Sequence, residues 1–148
     1  MNPVMLSVST FRWSDKAVEE ALRRASQTGT LAVVYVVDRN LARYLIGTDF
    51  AHYRNLREKC EEDLLGEHEV LGRQRLGAIE EKGKALGIDV RTDLRVGRFA
   101  EIELERVKAL QPSVVVTTRS QRPAWVRKFF GSPVSRLEAE AGCSVVEV

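Results

Sequence analysis

The sequence predicts a doubly wound α/β domain on one parallel five-stranded sheet, and three observations predict it. Short β-branched runs alternate with stretches of helical period from one end to the other. The run Leu31 to Val37 (LAVVYVV) is apolar at every position, as a parallel strand covered on both faces must be. Helix boundaries are marked by capping residues and by glycine or proline. Strands alternating with helices imply right-handed crossovers and helices on both faces of the sheet.

Val4 to Ser9 reads as the first buried strand. Ser14 is a good N-cap for the helix that follows, and Asp15 favours its first turn. Ala17, Val18, Ala21, Leu22 and Ala25 fall on one helical face, and Gly29 is a fitting stop. After the strand Leu31 to Val37, the segment Asp38 to Asn55 has no clean period. Tyr44, Leu45, Ile46 and Phe50 make it apolar enough to cover part of the fold or to pack on a partner.

Leu56 to Leu86 reads as one long charged helix, with Leu56, Cys60, Leu64, Leu71 and Ile79 as an approximate stripe. Gly66, Gly72, Gly77 and Gly83 each cost about 1 kcal/mol relative to alanine, which leaves room for a break within it. Val90 to Val96 is a third strand, more polar and nearer an edge. Phe99 to Leu110 is a helix with Ala100, Leu104 and Val107 inward, ended by Pro112. Ser113 to Thr117 is the fourth strand, and Arg119 to Phe130 is a loop rich in arginine and aromatics. Ser132 caps a last helix, with Pro133 at its first position. Val134, Leu137 and Ala141 face inward there, and Gly142 closes it. Ser144 to Val148 (SVVEV) is the final strand.

Charge and composition narrow the function. The chain has 148 residues, 44% of them apolar, which is enough for a real core in one domain. Its 23 basic and 21 acidic residues nearly balance, which argues against a dedicated nucleic-acid or membrane-surface binder. Cys60 and Cys143 have no metal-type spacing and build no disulfide framework. No signal peptide or membrane span is visible, which leaves the cytoplasm as the expected location. His52 and His68 lack the companions of a zinc site, and no nucleophile elbow is present. The carboxylates read as salt-bridged helix surface.

Three stretches carry a family likeness: LAVVYVVD at Leu31 to Asp38, RVGRFAEIELERV at Arg95 to Val107, and GSPVSRLEAEAGCSVVEV at Gly131 to Val148. In this order and spacing the chain resembles the universal stress protein family over nearly its whole length. The resemblance implies strand order 3-2-1-4-5, an adenine-nucleotide alpha-hydrolase-like fold, and a homodimer formed by the terminal strand Ser144 to Val148. An apolar edge strand with no covering helix tends to pair with another chain.

Nucleotide-binding members of the family carry G-x2-G-x9-G-[ST] after the fourth strand. Such glycines let backbone N–H groups approach phosphate oxygens at a helix start. Gly131 and Ser132 fit the end of the motif, but Thr118 and Gln121 stand where its first two glycines belong. The resemblance also expects an aspartate just after the first strand, where this chain has Ser9. Side chains at Thr118 and Gln121 should crowd the backbone-to-phosphate approach.

The candidate ligand residues are therefore Ser9, Val37 through its backbone, Thr117, Thr118, Arg119, Gly131 and Ser132. Each has a plainer reading. Ser132 can be a helix cap alone, and Thr117 and Thr118 can be ordinary strand-end residues. Arg119, Arg122, Arg127 and Lys128 can hold an anion or form a solvated loop face. The leading expectation is a non-enzymatic stress-response or regulatory protein, with no cofactor and weak or no ATP binding. The alternatives are an ATP or AMP sensor using Gly131 and Ser132, and then a slow ATPase. Protein partners are compatible with all three.

Overall fold

The first strand, β1 (Val4–Ser9), lies at the middle of the sheet and is buried along its whole length. It pairs in parallel with β2 (Thr30–Asp38), from Val4 opposite Leu31 to Ser9 opposite Val36. On its other side it pairs with β4 (Val114–Thr117), from Val4 opposite Val114. Strand β3 (Asp89–Gly97) extends the sheet beyond β2, and β5 (Ser144–Glu147) extends it beyond β4. All pairs are parallel and the order is β3-β2-β1-β4-β5, the expected one. This computed structural model describes residues 2–10, 12–39, 54–118 and 143–148. The arginine-rich loop, the helix from Ser132 and nearly all of the Asp38 to Asn55 connection lie outside the described residues.

Strand periodicity sorts the core into two layers. Val4, Leu6, Val8, Leu31, Val33, Tyr35 and Val37 meet α1 (Asp15–Thr28) and α2 (Arg54–Ala85) on one face. Met5, Val34, Val36 and Val115 meet α3 (Phe99–Leu110) on the other. The buried residues of α1 are Ala17, Val18, Ala21, Leu22 and Ala25, the expected stripe. Ser14 holds the N-cap position in extended conformation without a side-chain capping bond. Gly29 takes the left-handed conformation (φ 88°), and its N–H donates to the Ala25 carbonyl at 2.7 Å.

The long charged helix is present as expected, and one inward residue of α3 is corrected. Helix α2 runs unbroken through its four glycines. At Gly72 and Gly83 there is no room for a Cβ against Tyr35, Leu94 and Val90, so these two glycines set how closely α2 lies on the sheet. In α3 the buried face is Phe99, Glu103, Leu104 and Val107, while Ala100 is only half-buried. One of the inward residues is thus a carboxylic acid. No helix among the described residues is long and apolar enough to cross a membrane.

Candidate functional site

Doubly wound sheets hold ligands beyond the carboxyl ends of their strands, where the strand order reverses. Here the chain moves outward from β1 through β2 to β3, then returns to β4 on the opposite side of β1. The crevice therefore belongs between the ends of β1 and β4, at Ser9 and Thr117.

The turn leaving β1 is closed on itself. The Ser9 N–H donates to the Arg12 carbonyl at 3.1 Å, and the Arg12 N–H donates to the Ser9 carbonyl at 3.2 Å. The Ser9 hydroxyl accepts a further bond from the Arg12 N–H at 3.1 Å. This reversal sends the Arg12 side chain across the crevice. Its Nη1 donates to the Thr118 carbonyl at 3.0 Å, and its guanidinium lies 5.2 Å from the ring centroid of Phe99. Arg12 is only 4% exposed. A planar guanidinium suits such a position, since it can stack on an aromatic ring while donating in its own plane.

The other flank of the same turn is anchored on the α2 face. The Thr10 hydroxyl and the buried Tyr35 hydroxyl lie 3.1 Å apart, within hydrogen-bond reach. Arg75 Nη1 donates to the Tyr35 hydroxyl at 3.1 Å, and the Arg75 guanidinium sits 4.5 Å over the Trp13 ring. Thr10, Arg12 and Trp13 are thus held from both faces of the sheet.

The structure brings three of the predicted candidates together: Ser9, Thr117 and Thr118 surround the crevice. Their hydroxyls take part in the fold itself. Thr117 Oγ1 donates to the Ser7 carbonyl at 2.8 Å, and Thr118 Oγ1 donates to the Val148 carbonyl at 2.9 Å. The Val148 N–H returns a bond to the Thr117 carbonyl at 2.9 Å. Val37 is fully buried in the α1/α2 layer, and its backbone lies in the ladder opposite Val96. Arg119, Gly131 and Ser132, with Arg122, Arg127 and Lys128, lie outside the described residues.

Two residues that sequence reasoning missed stand at this site. Arg12 lies in a short loop with no periodicity, so nothing in the sequence signalled its burial. Glu103 did carry a signal, because it lies four residues from both Phe99 and Val107 on the buried stripe of α3. Its side chain is fully buried and neither carboxyl oxygen has a hydrogen-bond partner. Burial pushes the Glu103 carboxyl well above its ordinary range. The Ser7 hydroxyl eases this somewhat from nearby, although it too stays outside hydrogen-bond geometry. Asp93 adds to the upward push, while Arg106 and Arg12 oppose it.

A separate groove of about 500 Å³ lies on the α3 face between Ala32, Val34, Arg91, Asp93 and Arg106. Its cations already have acidic neighbours: Arg91 with Asp89 at 3.4 Å and Arg106 with Asp93 at 3.2 Å. Among the described residues no group of acidic, histidine or cysteine side chains could hold a metal ion.

Known proteins share this arrangement of strands and helices. The family model that matches is described as the universal stress protein family, and it covers residues 2–148. Among solved structures, the universal stress protein UspA from Lactobacillus plantarum is similar with a TM-score of 0.73 at 18% identity, over 99% of this chain and 97% of that one. The universal stress protein from Archaeoglobus fulgidus in complex with dAMP gives 0.58 at 15% identity, over 99% and 97%. A family protein from Arabidopsis thaliana with AMP bound gives 0.55 at 15% identity, over 99% and 90%. At these identities the likeness speaks for the fold. The search of curated proteins gave no match.

Proposed function

Because the chain belongs to the universal stress protein family, we propose that it acts as a non-enzymatic regulatory member of that family, a homodimer with weak or no ATP binding. The observation that carries this reading is the bridge from Arg12 to the Thr118 carbonyl, drawn across the point where a nucleotide would enter. A ligand there must break that bond, unstack a buried guanidinium from Phe99 and reopen the Ser9 turn. The hydroxyls of Ser9, Thr117 and Thr118 already have partners within the fold. The replacements of glycine by Thr118 and Gln121 point the same way.

A second reading, a nucleotide sensor, is favoured by the relatives crystallised with AMP and dAMP. It would rely on Gly131 and Ser132, where a helix start favours anions. A thermal melt with millimolar Mg-ATP separates the two. Ligand at one hundred times its dissociation constant stabilises by about 2.7 kcal/mol, which raises the midpoint of a domain this size by about 5 to 10 °C. The expected shift is below about 1 °C; a rise of 5 °C or more hands the function to the sensor reading.

The dimer rests on β5. It is the outermost strand on its side of the described sheet, and Val145 and Val146 pack inward while its outer backbone edge faces away from β4. Sedimentation equilibrium should return a mass twice the chain's 16.7 kDa. A mass of one chain at micromolar concentration removes the dimer from the proposal.

A further inference from the structure

We infer that Arg12 is the specificity-determining residue of this crevice: it is a built-in occupant that keeps metal-nucleotides out, and its removal should let them in. The inference rests on the reading that the native protein binds Mg-ATP weakly or not at all.

Two features of the site lead there. The first is position. The crevice of a doubly wound sheet opens where the order reverses, and the Arg12 side chain crosses it from the β1 turn to the end of β4. The second is how firmly it is held. The backbone of Arg12 is fixed by hydrogen bonds to Ser9, and its guanidinium by Thr118 and Phe99. At 4% exposure it is part of the interior rather than a mobile surface side chain. The side chain therefore excludes a ligand by filling the space it would need.

Nothing else among the described residues closes the crevice in this way. Thr117 and Thr118 contribute to its wall, but their side chains turn back to Ser7 and Val148. The Thr10–Tyr35–Arg75 cluster fixes the turn from the α2 face and does not span the gap.

The test compares Mg-ATP binding by the native chain, Arg12→Ala and Arg12→Lys, using thermal melts and calorimetric titration. Arg12→Ala should gain a midpoint rise of about 5 °C or more at millimolar Mg-ATP, with measurable binding heat. Arg12→Lys keeps most of the bulk in the crevice and should stay as silent as the native chain. If Arg12→Ala does not fold by circular dichroism, Arg12→Ser replaces it, being uncharged and too short to span to the Thr118 carbonyl. Folded Arg12→Ala or Arg12→Ser with no shift and flat heats overturns the assignment of Arg12, while a silent native chain leaves the proposed function standing. A native chain that itself responds to Mg-ATP overturns both.

Discussion

Replacing Glu103 with methionine should stabilise the protein, and by more at pH 8 than at pH 5. The native carboxyl is fully buried between α3 and the sheet, and neither of its oxygens is hydrogen-bonded. The groups facing it among the described residues are Ser7 on β1, Asp93 on β3, Arg106 on α3 and Arg12 in the β1 turn. Burial dominates, so the folded state holds its proton well above the ordinary value of 4.5. In the unfolded chain that proton leaves near 4.5. The folded state then binds the extra proton, and stability falls as pH rises. The contribution is fully present below about 4.5 and is lost as pH climbs through the raised value.

Methionine matches the volume and removes both unpartnered oxygens. Relieving a buried polar group of this kind is worth about 1 to 3 kcal/mol, or a midpoint rise of about 3 to 10 °C. Glu103→Gln should flatten the same pH dependence with a smaller gain, since its amide still lacks partners. Glu20 acts in the opposite sense. It is held down to about 2 by hydrogen bonds to Arg23 and then Arg24, so its contribution is present above 4.5 and fades as pH falls. It is common to all three proteins and cancels in the differences. Urea unfolding at pH 5 and pH 8 measures the effect. An equal gap between native and Glu103→Met at both pH values would show that Glu103 carries no linked proton.

The fold was legible because its signals are redundant along the chain. Each strand core is a run of β-branched residues, and Gly29 and Pro112 mark helix ends that the backbone confirms. Strand limits shifted by a residue because pairing, not propensity, sets them: Thr30 joins β2 opposite Asp89, and Asp38 joins it opposite Gly97. The site was less legible. Ser9 and Thr118 can be placed near strand ends from the sequence, but what they do there depends on Arg12, which lies in an aperiodic turn. Its burial follows from the meeting of β1, β4 and α3, elements far apart along the chain, and no local pattern records that. Glu103 was readable by spacing alone and was hidden by the general rule that charged residues face water.

The glycines of α2 show most sharply how one residue type carries two meanings, and the same substitution should have opposite signs at different positions. At Gly66 and Gly77 an added Cβ would meet nothing within 4 Å. Alanine there gains helix propensity at no steric cost and should stabilise by about 1 kcal/mol each. At Gly72 a Cβ would stand 2.7 Å from Tyr35 Cε1 and 2.8 Å from Leu94 Cδ1. The Tyr35 ring cannot retreat easily, since it is fully buried and its hydroxyl is held by Thr10 and Arg75. At Gly83 the Cβ would overlap Val90 Cγ2, on a side chain stiff at χ1. Overpacking of this kind costs about 1 to 3 kcal/mol, which exceeds the propensity gain in the upper part of that range. Larger side chains settle the sign: Gly72→Leu and Gly83→Leu should each lower the midpoint by about 5 °C or more. Gly72→Leu should also disturb the Tyr35–Arg75–Trp13 cluster, visible as a change in tryptophan fluorescence that Gly83→Leu does not produce. If all four positions tolerate alanine and leucine alike, α2 is not seated on the sheet through its glycines, and the anchoring of the β1 turn through Tyr35 loses its support.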